Sequence, residues 1–171
     1  MKAIVLSDTH IPHRAKDLPE RIKEEINNVD IIIHAGDFTA YDLYLELKAL
    51  KPIYAVRGNM DDDDVYDKLP ETMIFELEGV SIGLYHGIGA PWGIEKKVLA
   101  KFKDKNKLDL IIFGHSHRAL KKEGKPILFN PGSPTDRFFA PKRSYGILDI
   151  TKGKLGRLDN PFFQWSLRRT T

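Results

Sequence analysis

The feature that most narrows the fold of this chain is an alternation in its first third. Three short apolar runs, residues 2–6, 30–35 and 53–56, are separated by two stretches with helical periodicity. Leu18, Ile22 and Ile26 share one helical face while Glu20, Lys23 and Glu24 fall outward. Leu43, Leu47 and Leu50 form the expected buried stripe of the second helix. Apolar runs of this length and β-branched content read as buried strands. The order β-α-β-α-β then predicts a parallel sheet joined by right-handed crossovers.

Beyond Pro70 the pattern changes. Met73, Phe75 and Leu77 alternate with polar residues, Glu78-Gly79 is a tight-turn signal, and residues 80–85 are again extended, which predicts a hairpin. After a Gly- and Pro-containing loop, Ile94, Val98, Leu99 and Phe102 mark a helix with a lysine-rich outer face. A buried strand is expected at 110–113, and shorter ones at 127–129, 144–150 and 155–158, before an aromatic tail, Phe162-Phe163-Gln164-Trp165. The 171 residues are expected to form a single α/β domain, 1–171, with two sheets. A chain 42% hydrophobic and 30% charged is not a disordered one. No apolar run is long enough to span a membrane, and the N-terminus lacks the pattern of a signal peptide. Without cysteine, disulfides and thiolate chemistry are excluded; a cytoplasmic location is expected. A net charge of +3 is no nucleic-acid footprint, so neither nucleic acid nor membrane is expected as a partner.

A polar, metal-competent residue follows each of several of these apolar runs. Asp8 and His10 follow the first, Asp37 the second and Asn59 the third; His86 follows the hairpin, and His115 and His117 follow the run at 110–113. Ligands of open α/β sheets bind beyond the carboxyl ends of the strands, where these residues are expected. Taken singly, Asp8, Asp37 or Asn59 reads as a turn or capping residue, and an HxH pair as surface histidines. The repetition at successive strand ends is what carries weight. Two histidines one residue apart diverge on extended backbone; past a strand end the chain can turn and bring both to one crevice. Seven oxygen and nitrogen donors, with Asp37 bridging, suit two borderline or hard divalent cations.

These residues carry a family resemblance. Asp8-x-His10, Gly36-Asp37, Gly58-Asn59, His86 and Gly114-His115-x-His117 resemble the motifs of the calcineurin-like metallophosphoesterases. Their order and spacing, the small size and the Asn130-Pro131-Gly132-Ser133 stretch resemble the compact branch, which includes small bacterial and archaeal phosphodiesterases and the sorting subunit of retromer. The resemblance implies a four-layer α/β sandwich, two mainly mixed β-sheets flanked by helices. It implies one cation on Asp8, His10, Asp37 and His117, another on Asp37, Asn59, His86 and His115, and a catalytic part for Asn59 and His86. It further implies a phosphodiesterase in which hydroxide held between the cations attacks phosphorus, with a small phosphodiester as substrate. Manganese leads as the cation on the mixture of imidazole and carboxylate, with nickel, iron, zinc or magnesium as alternatives.

One departure stands out. Larger members of the superfamily carry a histidine after the Gly-Asn pair, where this chain has Met60. Methionine donates no proton, so a packing role is expected for it and slow turnover of esters with poor leaving groups. His13 reads as a loop residue, His34 as packed or hydrogen-bonded, and residues 61–64 as a loop or helix start. Arg57, Arg118, Arg137 and Arg143 are the candidate phosphate contacts. Pro91-Trp92 and Phe138-Phe139 read as packed loop aromatics, with an exposed partner surface as the alternative. Alternative functions are a non-catalytic scaffold on the same fold, a phosphomonoesterase or a nuclease; self-association stays open.

Overall fold

The computed structural model describes residues 1–104, 107–140 and 142–163. The predicted alternation is present as β1 (Lys2–Leu6), α1 (Glu20–Asn27), β2 (Ile31–His34), α2 (Tyr41–Leu50) and β3 (Ile53–Ala55). β1 pairs with β2 and β2 with β3, both in parallel. A short helix, α3 (Asp63–Lys68), comes next; Asp62 caps it by accepting a bond from the Val65 amide. The acidic run is thus a helix start, as its composition suggests.

The hairpin is β4 (Thr72–Leu77) and β5 (Val80–Tyr85), with Leu77 opposite Val80. Both turn residues, Glu78 and Gly79, have positive φ, the geometry that matches the twist of paired strands. Then follow α4 (Ile94–Lys101), β6 (Leu110–Phe113), β7 (Leu120–Lys122) and β8 (Ile127–Asn130). The chain continues with β9 (Arg143–Ser144), β10 (Gly146–Thr151), β11 (Lys154–Asp159) and β12 (Phe162–Phe163). The single run expected at 144–150 is therefore two strands: β9 pairs with β12, while β10 joins β1. β7 has no sequence signal, because Leu120-Lys121-Lys122 neither alternates nor forms an apolar run. Of the aromatic tail, Gln164 and Trp165 lie outside the described residues.

The strands form two mixed five-stranded sheets, ordered β11-β10-β1-β2-β3 and β4-β5-β6-β8-β7. Side-chain alternation assigns each face. Ala3, Val5, Ile31 and Ile33 meet Ile82, Leu84, Leu110 and Ile112 between the sheets. Ile4, Leu6 and Ile32 point the other way, onto Ile22 and Ile26 of α1 and Leu43 and Leu47 of α2. On the far side, Tyr85, Ile111 and Phe113 pack on Ile94 and Val98 of α4. The result is the expected helix–sheet–sheet–helix sandwich. Two expected helix-face residues are corrected: Leu50 is 56% exposed and Leu99 is also exposed, so the buried faces of α2 and α4 are carried by Leu43, Leu47, Ile94 and Val98. Among the described residues no helix is long and apolar enough to cross a membrane.

Candidate metal centre

The carboxyl ends of the parallel strands of both sheets come together at one edge of the sandwich. There Asp8, His10, Asp37 and His117 each offer a ligand atom, all within 4.8 Å of one another, and all four are buried. Asp8 Oδ1 lies 3.3 Å from His117 Nε2, His10 Nε2 faces His117 Nε2 at 3.3 Å, and His10 Nε2 is 3.5 Å from Asp37 Oδ2. Asp37 Oδ2 is also 3.3 Å from His86 Nε2, so this one oxygen lies between two groups of imidazoles.

Backbone geometry makes this convergence possible. Asp8, His10, Asp37, His115 and His117 all have positive φ, between 46° and 69°. The left-handed region is costly for residues with a Cβ. Here it turns the chain sharply at each strand end, so His115 and His117 reach the same cleft. The glycines beside the donors permit close approach. A Cβ on Gly58 would lie 2.1 Å from Asp37 Oδ1, and one on Gly114 would lie 1.9 Å from Ser7 Oγ.

The donors are held by their neighbours. Ser7 Oγ donates to Asp8 Oδ2 at 2.6 Å, and the His115 amide donates to the same carboxylate. Asn130 Nδ2 donates to the Gly114 carbonyl at 2.8 Å, while Ser133 Oγ donates to the Asp8 carbonyl at 2.7 Å; the 130–133 stretch thereby braces two donor loops at once. His86 Nδ1 donates to the Ala35 carbonyl at 2.7 Å, which leaves Nε2 as the ring atom facing Asp37. That buried Nε2 has no hydrogen-bond partner. A buried imidazole nitrogen that makes no hydrogen bond yet lies 3.3 Å from Asp37 and 3.9 Å from Asp8 fits a divalent cation, as does the carbonyl bond that orients its ring.

Two supporting carboxylates carry no signal that sequence reading could use. Asp136 accepts a very short bond from His117 Nδ1, a bond from Arg14 Nη1 at 2.9 Å, and bonds from the Phe138 and Phe139 amides. Asp61, read in sequence only as part of an acidic run, accepts from the amides of Asp37, Thr39 and Gly58 at 2.7–3.2 Å and so ties the Asp37 and Asn59 loops together.

The second expected set is less gathered. His115 Nδ1 is 2.8 Å from Asn59 Oδ1 and Nε2 is 2.5 Å from the Gly89 carbonyl, so both ring nitrogens of His115 already face oxygens. Met60 is 53% exposed and lines the cleft, which corrects the packing role expected for it; its amide donates to Asp37 Oδ1 at 2.8 Å. His34 is buried as expected, stacked on Phe38 at 3.5 Å and accepting from the Gly36 amide through Nδ1. His13 is exposed and outside the cluster. Of the arginines, Arg118 lines the cleft and Arg14, not singled out in sequence, does too. Arg57 instead donates to the Tyr66 and Leu69 carbonyls, and Arg143 is buried in β9. The loop aromatics are not packed away: Trp92 is 79% and Phe138 85% exposed.

Charge in the centre is finely balanced. Burial pushes the Asp8 carboxyl up, but the bond to His117 and the charges of His86 and His117 hold it far below its ordinary value. Burial likewise pulls His86 down, yet Asp37 and Asp8 overcome it and raise the imidazole to about 9. His117 is raised by Asp8 and Asp136 against burial, whereas for His10 burial prevails and lowers it. The two carboxylates thus demand neighbouring positive charge, which divalent cations supply in concentrated form.

Comparison with known proteins agrees with this geometry. A sequence model of the calcineurin-like phosphoesterase superfamily domain matches residues 1–153. A probable metallophosphoesterase of Methanothermobacter thermautotrophicus is 39% identical over 132 residues, covering 77% of this chain and 76% of its own. A crystal structure of a Vps29 single mutant from Entamoeba histolytica superposes with a TM-score of 0.76 at 25% identity, over 96% of this chain and 100% of that one. The wild-type form of that Vps29, crystallised in complex with zinc, gives a TM-score of 0.73 at 25% identity, over 95% and 98% of the two chains.

Proposed function

Because the chain belongs to the calcineurin-like phosphoesterase superfamily, we propose that it is a metal-dependent phosphodiesterase acting on small substrates. The observation that supports this most is the buried convergence of Asp8, His10, Asp37 and His117, with Asp37 shared toward His86. One cation would be held by those four residues and a second by Asp37, Asn59, His86 and His115. When bound, two such cations polarise phosphoryl oxygens and bring the pKa of water to about 7.

The chain's own part is positioning. Ser7 and the His115 amide fix the Asp8 carboxylate, and Ala35 fixes the His86 ring. Asp136 keeps the proton of His117 on Nδ1, so that Nε2 faces the centre. Hydrolysis forms one P–O bond to water and breaks another, and a departing alkoxide needs a proton where a nitrophenolate does not. Met60 cannot give it, so activated esters should turn over fastest.

A second reading, a non-catalytic interaction scaffold, draws support from the likeness to Vps29 and from the exposed Trp92 and Phe138 beside the centre. Hydrolysis of bis-p-nitrophenyl phosphate by metal-stripped protein, reloaded with one cation at a time, separates the two. The expected result is loss of activity on chelation and recovery with manganese rather than calcium. Asp37→Asn should lose both bound metal and nearly all activity while keeping its fold. No hydrolysis with any cation would favour the scaffold, and hydrolysis that ignores chelation would overturn the metal-dependent reading.

A further inference from the structure

The cleft over the metal centre is much larger than a phosphate needs. It measures about 660 Å³, in the range of pockets that enclose whole organic ligands of ~300–1,000 Å³. Its floor is the donor cluster. Its walls carry Trp92 from the loop before α4 and Phe138 and Phe139 from the loop after Asp136, with Met60, Arg14 and Arg118.

These aromatic walls are unusual for loop residues. Trp92 and Phe138 are almost fully exposed, although each flat ring opens onto the same cleft as His10, Asn59 and His117. Phe139 is fixed by the His117 ring at 6.0 Å and by the Arg14 guanidinium 5.1 Å above it. The Phe138 and Phe139 amides are anchored on Asp136, the same carboxylate that orients His117. The aromatic wall and the centre are therefore built on one support. Planar rings held over a metal-competent floor suit a ligand with a phosphoryl group at one end and a flat aromatic group at the other. An alkyl diester would leave the rings wet.

From the juxtaposition of Trp92, Phe138 and the donor cluster in one cleft, we infer that the substrate is a nucleotide-sized phosphodiester whose base stacks on this aromatic rim. This rests on the phosphodiesterase reading and narrows it. The volume of the cleft is sufficient for a single nucleotide. Arg118, exposed at the mouth, provides the nearby positive charge for a second phosphoryl or ribose oxygen.

Two substrates with the same leaving group isolate this recognition: thymidine 5′-p-nitrophenyl phosphate and ethyl p-nitrophenyl phosphate. In the manganese-loaded wild type, the ratio of their kcat/KM values should favour the thymidine ester by about tenfold or more. Trp92→Ala and Phe138→Ala should each lower that ratio about fivefold, mainly through KM of the thymidine ester. Both side chains are exposed, so circular dichroism and melting should match wild type. A second readout needs no turnover. The chain has two tryptophans, so Trp165→Phe leaves Trp92 as its only indole. Thymidine 5′-monophosphate should quench its fluorescence, whereas ethyl phosphate should not. A wild-type ratio near one, or a ratio unmoved in both variants with no quenching, overturns the stacking subsite even if both esters are hydrolysed. Quenching by the nucleotide with no hydrolysis of either ester under any cation overturns the phosphodiesterase reading and supports the aromatic subsite as a nucleotide-binding one.

Discussion

At the scale of single residues, the centre is distinguished by which side chain is missing as much as by those present. Met60 follows Asn59, opens onto the cleft and lends its amide to Asp37, but it has no proton to give. Met60→His should therefore help most where the leaving oxygen needs a proton. The expected result is a rise in kcat/KM for alkyl phosphoesters, bounded by the ~10²–10⁴-fold that general acids commonly contribute, with nitrophenyl esters changing much less. The measurement is the ratio of the two substrates at matched metal occupancy. An unchanged or inverted ratio would show that residue 60 does not address the leaving group.

At the scale of elements, every donor sits just past the end of a strand, and loops from both sheets meet over one edge. Asp136 joins three of these pieces: it accepts from His117, from Arg14 and from the amides of Phe138 and Phe139. Asp136→Ala should weaken metal binding by ~10–100-fold, as loss of a carboxylate behind a liganding histidine commonly does. Competition with a coloured chelator measures it. Asp136→Asn can still accept from Nδ1 and should recover part of the loss, whereas equal loss in both variants would point to loop collapse. Much of this arrangement was legible in the sequence. The β-α-β-α-β alternation set the first sheet, and Asp8, His10, Asp37 and His117 announced themselves by recurring at strand ends. Asp136 and Asp61 did not, because an acceptor of backbone amides looks in sequence like any other loop aspartate. β7 was hidden for a similar reason: its residues pair at an edge and bury little. Leu50 and Leu99 followed the apolar pattern of their helices yet stand exposed, because periodicity does not tell which turns of a helix meet a partner.

At the scale of the whole molecule, burial couples the protein to pH through a residue outside the candidate ligands. His34 closes β2, lies wholly buried against Phe38, and accepts a bond from the Gly36 amide on Nδ1; burial favours a neutral ring and the accepted bond requires one. Burial lowers its pKa from 6.5 to about 3. The unfolded chain therefore takes up this proton first as pH falls. The stability it contributes is complete above the unfolded value and is lost progressively below it, at up to ~1.4 kcal/mol per pH unit, until the folded state also protonates. Because the raised His86 and His117 act in the opposite sense in this window, the slope is read as the difference between metal-free wild type and His34→Gln in urea unfolding from pH 7 to pH 5, and the His34 ring signals in NMR should stay at neutral-imidazole positions throughout. A His34 that titrates near its ordinary value would remove this account of acid sensitivity.

The positive φ angles at Asp8, His10, Asp37, His115 and His117 have a consequence for how the chain can change. At most positions glycine loosens a protein and alanine firms it, but at these five the order should reverse. His115 is the cleanest place to see it, being half-exposed with φ 69°. His115→Gly should be more stable than His115→Ala by about 1 kcal/mol in the metal-free protein, read as the difference in urea midpoint at equal m-value. Equal midpoints would mean that the left-handed turn relaxes once the imidazole is gone. If the order does reverse, the backbone strain at these turns belongs to the fold itself, and the native side chains are carried there for the contacts they make rather than for ease of the backbone.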